Sequence, residues 1–165
     1  MPKDTYIDGV NDSKKLTEKK RNELFEIIKE KAVAYSIEIV DHKIIDKINI
    51  LEATFLAMKN AVLNLKVKPE IILVDGNHKI PDLDIQQEAI VSGDAKSFCI
   101  ACASILAKVT RDRLMYEYAK EYPQYLFEDH KGYGTKKHIE CIKQYGPCEI
   151  HRKTFAPVKD FIKLP

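Results

Sequence analysis

The run Ile71-Ile72-Leu73-Val74-Asp75-Gly76 constrains the fold more than any other stretch of this chain. Four unbroken apolar residues predict a strand buried on both faces, the pattern of a central strand covered by helices. The Asp-Gly that follows stands where open α/β sheets place their ligands, beyond the carboxyl end of a strand. Helical patterns lie on either side. Thr17 to Ala34 carries Leu24, Phe25, Ile27 and Ile28 among many Lys and Glu, with Thr17 placed as N-cap. Ile44, Ile48, Leu51, Phe55, Met58, Val62 and Leu65 recur at steps of four and three, a stripe over roughly His42 to Leu65. It covers too few heptads for a coiled coil and predicts a core-facing helix, which Asn49 with Glu52 can cap and divide in two.

Tyr35 to Val40 alternates and reads as a strand with one wetter face, Gln87 to Ser92 as a weaker strand and Gly93-Asp94 as a turn. Phe98 to about Tyr122 is helical, and Lys136 to Tyr145 is a further helix closed by Gly146-Pro147. Strands alternating with helices, with no repeat, linker or shift in composition, predict one α/β domain over residues 1–165.

Composition narrows the function classes. Hydrophobic residues at 45% and charged residues at 32%, with 7 Pro and 6 Gly, exclude disordered and collagen-like chains. Lys and Arg number 27 against 25 Asp and Glu, and the resulting +2 is too small for a global field that attracts nucleic acid. Such binding must come from local clusters. Met1-Pro2-Lys3-Asp4 has no apolar signal core, and Lys or Glu interrupts every hydrophobic stretch, so the expected location is cytoplasmic, with no membrane partner. The thiols of Cys99, Cys102, Cys141 and Cys148 are then expected to be reduced.

Four features can carry chemistry. Asp75 ends the apolar strand, although spacing alone favours its opening a turn before Asn77. Asp112 follows Ile105 by seven residues and Val109 by three, so it shares their inward side of a helix. A carboxylate there needs either a basic neighbour such as Lys108, Arg111 or Arg113, or a metal held with other carboxylates. Basic clusters form at Lys14, Lys15, Lys19, Lys20 and Arg21, at His130, Lys131, Lys136, Lys137 and His138 around Gly132-Tyr133-Gly134, and at His151-Arg152-Lys153. Singly each reads as a solvated face; together they suit a sugar-phosphate backbone with a ring stacked on Tyr133. Cys99-Ile100-Ala101-Cys102 has redox spacing, but its small-residue helical continuation favours buried, inert thiols.

Read as a set, Asn11-Asp12-Ser13-Lys14-Lys15-Leu16, Asn49-Ile50-Leu51-Glu52-Ala53-Thr54, Val74-Asp75-Gly76-Asn77, Gly93-Asp94, Ala103 to Asp112, His130-Lys131-Gly132-Tyr133-Gly134-Thr135 and His151-Arg152-Lys153-Thr154-Phe155 resemble the ribonuclease HII family, in the family's order. The resemblance implies a ribonuclease H-like α/β fold, a mixed sheet flanked by helices. It implies an endonuclease that cuts the RNA strand of RNA–DNA hybrids and single ribonucleotides embedded in duplex DNA, using four carboxylates and divalent Mn²⁺ or Mg²⁺. Asp75 and Asp112 match two of those carboxylates, as catalytic residues and metal ligands. Tyr133 matches the tyrosine that stacks on the sugar at the RNA-to-DNA junction, and Ser13, Lys14 and Lys15 fall near the nucleic-acid backbone.

The family's Asp-Glu-Ala-Gly-Arg-Gly run, which supplies the other two carboxylates, has no counterpart in this sequence, and Asp4, Asp8 and Asp12 lack its strand context. The expectation is therefore an N-terminally incomplete domain lacking its first strands, with little or no activity alone and a sheet edge open to self-association, where the intact protein would be a monomer. A non-catalytic nucleic-acid-binding domain and a thiol redox protein on Cys99 and Cys102 are the competing readings.

Overall fold

The computed structural model describes residues 1, 2 and 4–162. The chain divides into two compact units: residues 1–39 with 54–109, and residues 40–53 with 110 onward. The helices are α1 (Glu18–Lys31), α2 (His42–Ile48), α3 (Ile50–Leu63), α4 (Gly93–Lys96), α5 (Phe98–Glu121), α6 (Phe127–His130), α7 (Lys136–Tyr145) and α8 (Val158–Phe161); β1 (Ile71–Asp75) and β2 (Gln86–Ile90) fall between α3 and α4.

Local chemistry sets most boundaries. The Thr17 side chain accepts from the Lys20 N–H and starts α1. Asn49, at φ 70°, accepts from both Leu51 and Glu52 N–H, so the long apolar stripe is two helices, as the capping pattern predicts. Thr135 caps α7, and Gly146 at φ 74° ends it.

The first unit's core packs Leu24, Phe25 and Ile28 of α1 against Cys102, Ile105, Leu106 and Val109 of α5, with Ile7. Each such side chain contributes roughly 1.5–3 kcal/mol by leaving water. A second cluster joins Ile72 and Val74 of β1 to Ile80, with Met58 and Val62 of α3 packed on it. β1 and β2 pair in parallel, Asp75 opposite Ile90. The Gln87 side chain holds the connection between them: it accepts from Ile80 N–H and donates to Ile80 and Leu83 carbonyls, giving loop backbone the partners it would otherwise lack.

The second unit's core gathers Met115, Tyr125, Phe127, Cys141, Ile142 and Val158. Tyr125 and Phe127 stack at 5.5 Å, and the Tyr125 hydroxyl donates to the Gly146 carbonyl at 2.6 Å.

Several expectations need correction. Tyr35–Val40 is not a strand. β-propensity records only that a segment fits a ladder, and here side chains tie the segment down: Ser36 and Asn64 both donate to Glu38. β1 buries Ile72 and Val74 but leaves Ile71 41% exposed, so one face is covered rather than two. Among the described residues the sheet comprises β1 and β2 alone. Gly93-Asp94 opens the short helix α4 rather than forming a turn. The α2–α3 stripe is not uniformly core-facing, since Ile44 and Leu51 are exposed. The break at Asn49 interrupts the 3.6-residue period that would have kept them on one face.

Candidate functional site

In the first unit, Asp75 ends β1 with its side chain at the surface. Gly76, at φ 127°, turns the chain away while its N–H donates to the Ile90 carbonyl at 3.0 Å, completing the strand pair. Gly93 N–H donates to Asp75 Oδ1 at 2.8 Å. Among the described residues Oδ2 has no partner, so the carboxylate is oriented by one oxygen and open at the other. A side chain at Gly93 would crowd this contact: a Cβ would lie 2.5 Å from Ile100 Cδ1 and 3.3 Å from Asp75 Oδ1.

The segment from Asn11 to Leu16 is tied to its surroundings through the Ser13 hydroxyl and through the backbone carbonyls of Ser13 and Leu16. Ser13 is buried, its hydroxyl 2.8 Å from that of Ser104 on α5, and its carbonyl accepts from the Arg21 guanidinium, which also bonds the Leu16 carbonyl. Lys14 and Lys15 are exposed, with Lys14 Nζ 4.0 Å from Asp94 Oδ2. The first basic region thus divides into an anchor, buried Ser13 with half-buried Arg21, and a presented pair of ammonium groups.

The Cys-x-x-Cys is not a redox pair: Cys99 and Cys102 are free thiols, Cys102 is buried, and burial pushes its pKa up to about 11, against thiolate formation. Cys99 is exposed, contrary to the expectation that both are buried.

In the second unit, Asp112 is 5% exposed on α5, buried like Ile105 and Val109 before it, as the helical spacing predicts. Arg111, its neighbour, places its guanidinium 4.8 Å from the centre of the Tyr133 ring. Tyr133 is 54% exposed and sits on a turn made by Lys131 at φ 51° and Gly132 at φ 74°. A Cβ at Gly132 would approach Met115 Cε at 3.2 Å. Tyr133 N–H donates to the His130 carbonyl, and its own carbonyl accepts from Thr135 N–H at 2.8 Å.

The second and third basic clusters are not solvated faces throughout. His130, His138 and His151 are all buried. Burial, then the charge of His138, pushes His151 down to about 4, and burial also lowers His138. Lys137 pairs with Asp129, and Lys136 with Glu140 at 3.9 Å. Asp46 of α2 anchors the segment after His151, accepting from Lys153 N–H, Thr154 N–H and the Thr154 hydroxyl. Arg152 packs 3.8 Å from the Phe155 ring centre, its pKa lowered by burial and then by the Arg111 charge. The sequence named Gly93 and Arg111 without these roles, and it gave no sign of Asp46 or of the histidine grouping. The spacing of 130, 138 and 151 matches no helix or strand period, so no local signal joins the three.

Carboxylate oxygens such as those of Asp75 and Asp112 are the donor type a hard divalent cation takes. Among the described residues, however, no three His, Cys, Asp or Glu side chains converge in a way that would hold a metal ion. The donor chemistry fits; the donor number does not complete a coordination sphere.

Parallel strands, the first ending in a held carboxylate, with helices packed on them define an α/β protein. The comparisons sharpen this. The family model for ribonuclease HII matches residues 6–158. Ribonuclease HII of Endomicrobium trichonymphae is 64% identical over 162 residues, 98% of this chain and 77% of that protein. Ribonuclease HII of Caldicellulosiruptor bescii is 61% identical over 164 residues, 99% of this chain and 78% of that protein. Among solved structures, the ribonuclease H2 of Pyrococcus horikoshii superposes with a TM-score of 0.76 at 28% identity, covering 93% of this chain and 80% of that one. The chain belongs to the ribonuclease HII family: it is a ribonuclease H, on that family's α/β fold. Among the described residues no helix is long and apolar enough to cross a membrane.

Proposed function

We propose that this ribonuclease H cuts the RNA strand of RNA–DNA hybrids, including single ribonucleotides within duplex DNA, with Asp75 and Asp112 each contributing a carboxylate to divalent metal, Mn²⁺ or Mg²⁺. The observation that carries the reading is Asp75: a strand-end carboxylate fixed through Oδ1 by Gly93 and open at Oδ2. When bound, a divalent cation would supply charge stabilisation for phosphodiester hydrolysis. The protein's own residues bind and orient. Lys14 and Lys15 face the sugar-phosphate backbone as point charges, while Ser13 anchors their segment to α5. Tyr133, exposed on its glycine-flanked turn and backed by Arg111, packs its ring on the deoxyribose beyond the ribonucleotide, where a 2′-hydroxyl would be sensed by its absence. The family match runs through both compact units, which supports a single catalytic domain.

Two of the four carboxylates in the family pattern are present, so turnover by this polypeptide alone is expected to be low. The test is incubation with Mn²⁺ and a labelled duplex containing one ribonucleotide, beside Asp75→Asn and Asp112→Asn. Metal-dependent cutting next to the ribonucleotide, lost in both variants, is the expected result; cutting that persists in Asp75→Asn removes that residue from the reaction.

A further inference from the structure

We propose that His151 and His138 form a directional hydrogen-bond relay that positions Tyr133, making both histidines positioning residues for recognition of the ribonucleotide junction. The functional half of this inference rests on the role given to Tyr133 above.

The partners of each ring fix its proton. Cys148 N–H donates to His151 Nδ1 at 3.0 Å, so that nitrogen carries a lone pair and the proton sits on Nε2. The Cys148 thiol lies 3.0 Å from the same nitrogen, and burial keeps it protonated. His151 Nε2 lies 3.1 Å from His138 Nε2 and therefore donates to it. His138 in turn carries its proton on Nδ1, which is 3.0 Å from the Tyr133 carbonyl and donates to it. One nitrogen-to-nitrogen contact thus aligns two neutral imidazoles in a single direction, from Cys148 to the Tyr133 backbone.

A third ring closes the arrangement. His130 stacks on His138 with centroids 4.3 Å apart and planes at 17°. Its Nδ1 accepts from Gly132 N–H and its Nε2 donates to the Tyr125 carbonyl. The turn bearing Tyr133 is consequently held from both sides by histidines whose tautomers are determined, while Arg111 packs on the tyrosine ring. Nothing in this path needs a charged imidazole. The rings stack rather than converge, which argues against a metal site.

The decisive variants exploit where side-chain nitrogens fall. In His138→Asn the amide Nδ2 takes the place of Nδ1 and can still donate to the Tyr133 carbonyl; in His138→Leu it cannot. In ¹⁵N-resolved NMR of the full chain at neutral pH, the parent should show His138 protonated on Nδ1, and His130 and His151 on Nε2. The Tyr133 and Gly134 amide resonances should move strongly in His138→Leu and little in His138→Asn. Binding of fluorescent duplexes in Ca²⁺ gives the functional readout, as the ratio of Kd for all-DNA duplex to Kd for the same duplex with one ribonucleotide. His138→Leu should lower that ratio about five- to tenfold, the scale of one lost hydrogen bond. Tyr133→Ala should lower it as much, and the double variant no further. A His138 proton on Nε2, or unmoved Tyr133 and Gly134 amides in His138→Leu, overturns the relay. So does a parental ratio in His138→Leu where Tyr133→Ala has lost it, or a double variant whose loss is the product of the two. If Tyr133→Ala itself keeps the parental ratio, the junction-sensing role falls, and the relay is judged by the NMR readings alone. Should His138→Leu fail to fold, His151→Leu replaces it, with the same amides expected to shift.

Discussion

Gly93 donates its main-chain N–H to Asp75 Oδ1 across eighteen residues, at 2.8 Å. A Cβ on Gly93 would stand 2.5 Å from Ile100 Cδ1 and 3.3 Å from Asp75 Oδ1. Gly93→Ala is therefore expected to displace the Ile100 side chain and to strain the hold on the carboxylate. Ile100 Cδ1 is the end of a flexible side chain and can give way, so the expected loss is about 1–3 kcal/mol rather than unfolding. Chemical denaturation measures it, and an unchanged midpoint would contradict this account of the contact.

Buried histidines make stability depend on pH in a definite direction. His151 is held near 4 in the folded chain by burial and by His138, against about 6.5 when unfolded, so between those values the unfolded state binds more protons. Its contribution is complete above about pH 6.5 and is lost as pH falls toward 4, on the order of 3 kcal/mol; His138 acts with the same sign. Thermal unfolding midpoints should drop across this window in the parent and drop less in His151→Gln. A flat profile in the parent would show that these rings are not held neutral.

Asp46 stabilises the segment after His151 in the opposite pH sense. Burial acts to raise its pKa, but the Thr154 hydroxyl, the Thr154 and Lys153 amides and the His42 charge together hold it below the usual carboxylate value. A carboxylate of lowered pKa contributes above the unfolded value and loses that contribution as pH falls through the folded one. Asp46→Ala should cost about 1 kcal/mol at pH 7, the scale of a partly exposed hydrogen-bonded anchor. The deficit relative to the parent should shrink below about pH 4.

Lys14 and Lys15 should act as phosphate contacts without sequence preference. Replacing each by Ala is expected to weaken duplex binding and to lower the salt-dependence slope by about 0.9 per contact removed. Anisotropy titrations at several salt concentrations measure this. Ser13→Ala, by contrast, should act through stability, because its hydroxyl is buried against Ser104.

Much of the fold could be read directly. Thr17 and Asn49 cap helices with atoms only a few residues away, Gly146 ends α7, and the apolar run to Asp75 forms its strand. Asp112 could be placed on the buried side of α5 by counting from Ile105. Tyr35–Val40 was not legible in this way, because whether an alternating segment pairs depends on which backbone lies beside it.

The linear order of residues determined the family through its motifs taken in order, and it set the limits of the longer helices and the burial of Asp112 through neighbours one to seven positions apart. The folded chain alone decided which oxygen of Asp75 is committed, that Cys99 is exposed while Cys102 is buried, and that two basic-looking clusters hide three buried imidazoles. Those outcomes turn on burial and on contacts between distant segments, where the loss of water changes what a charge or a ring nitrogen can do.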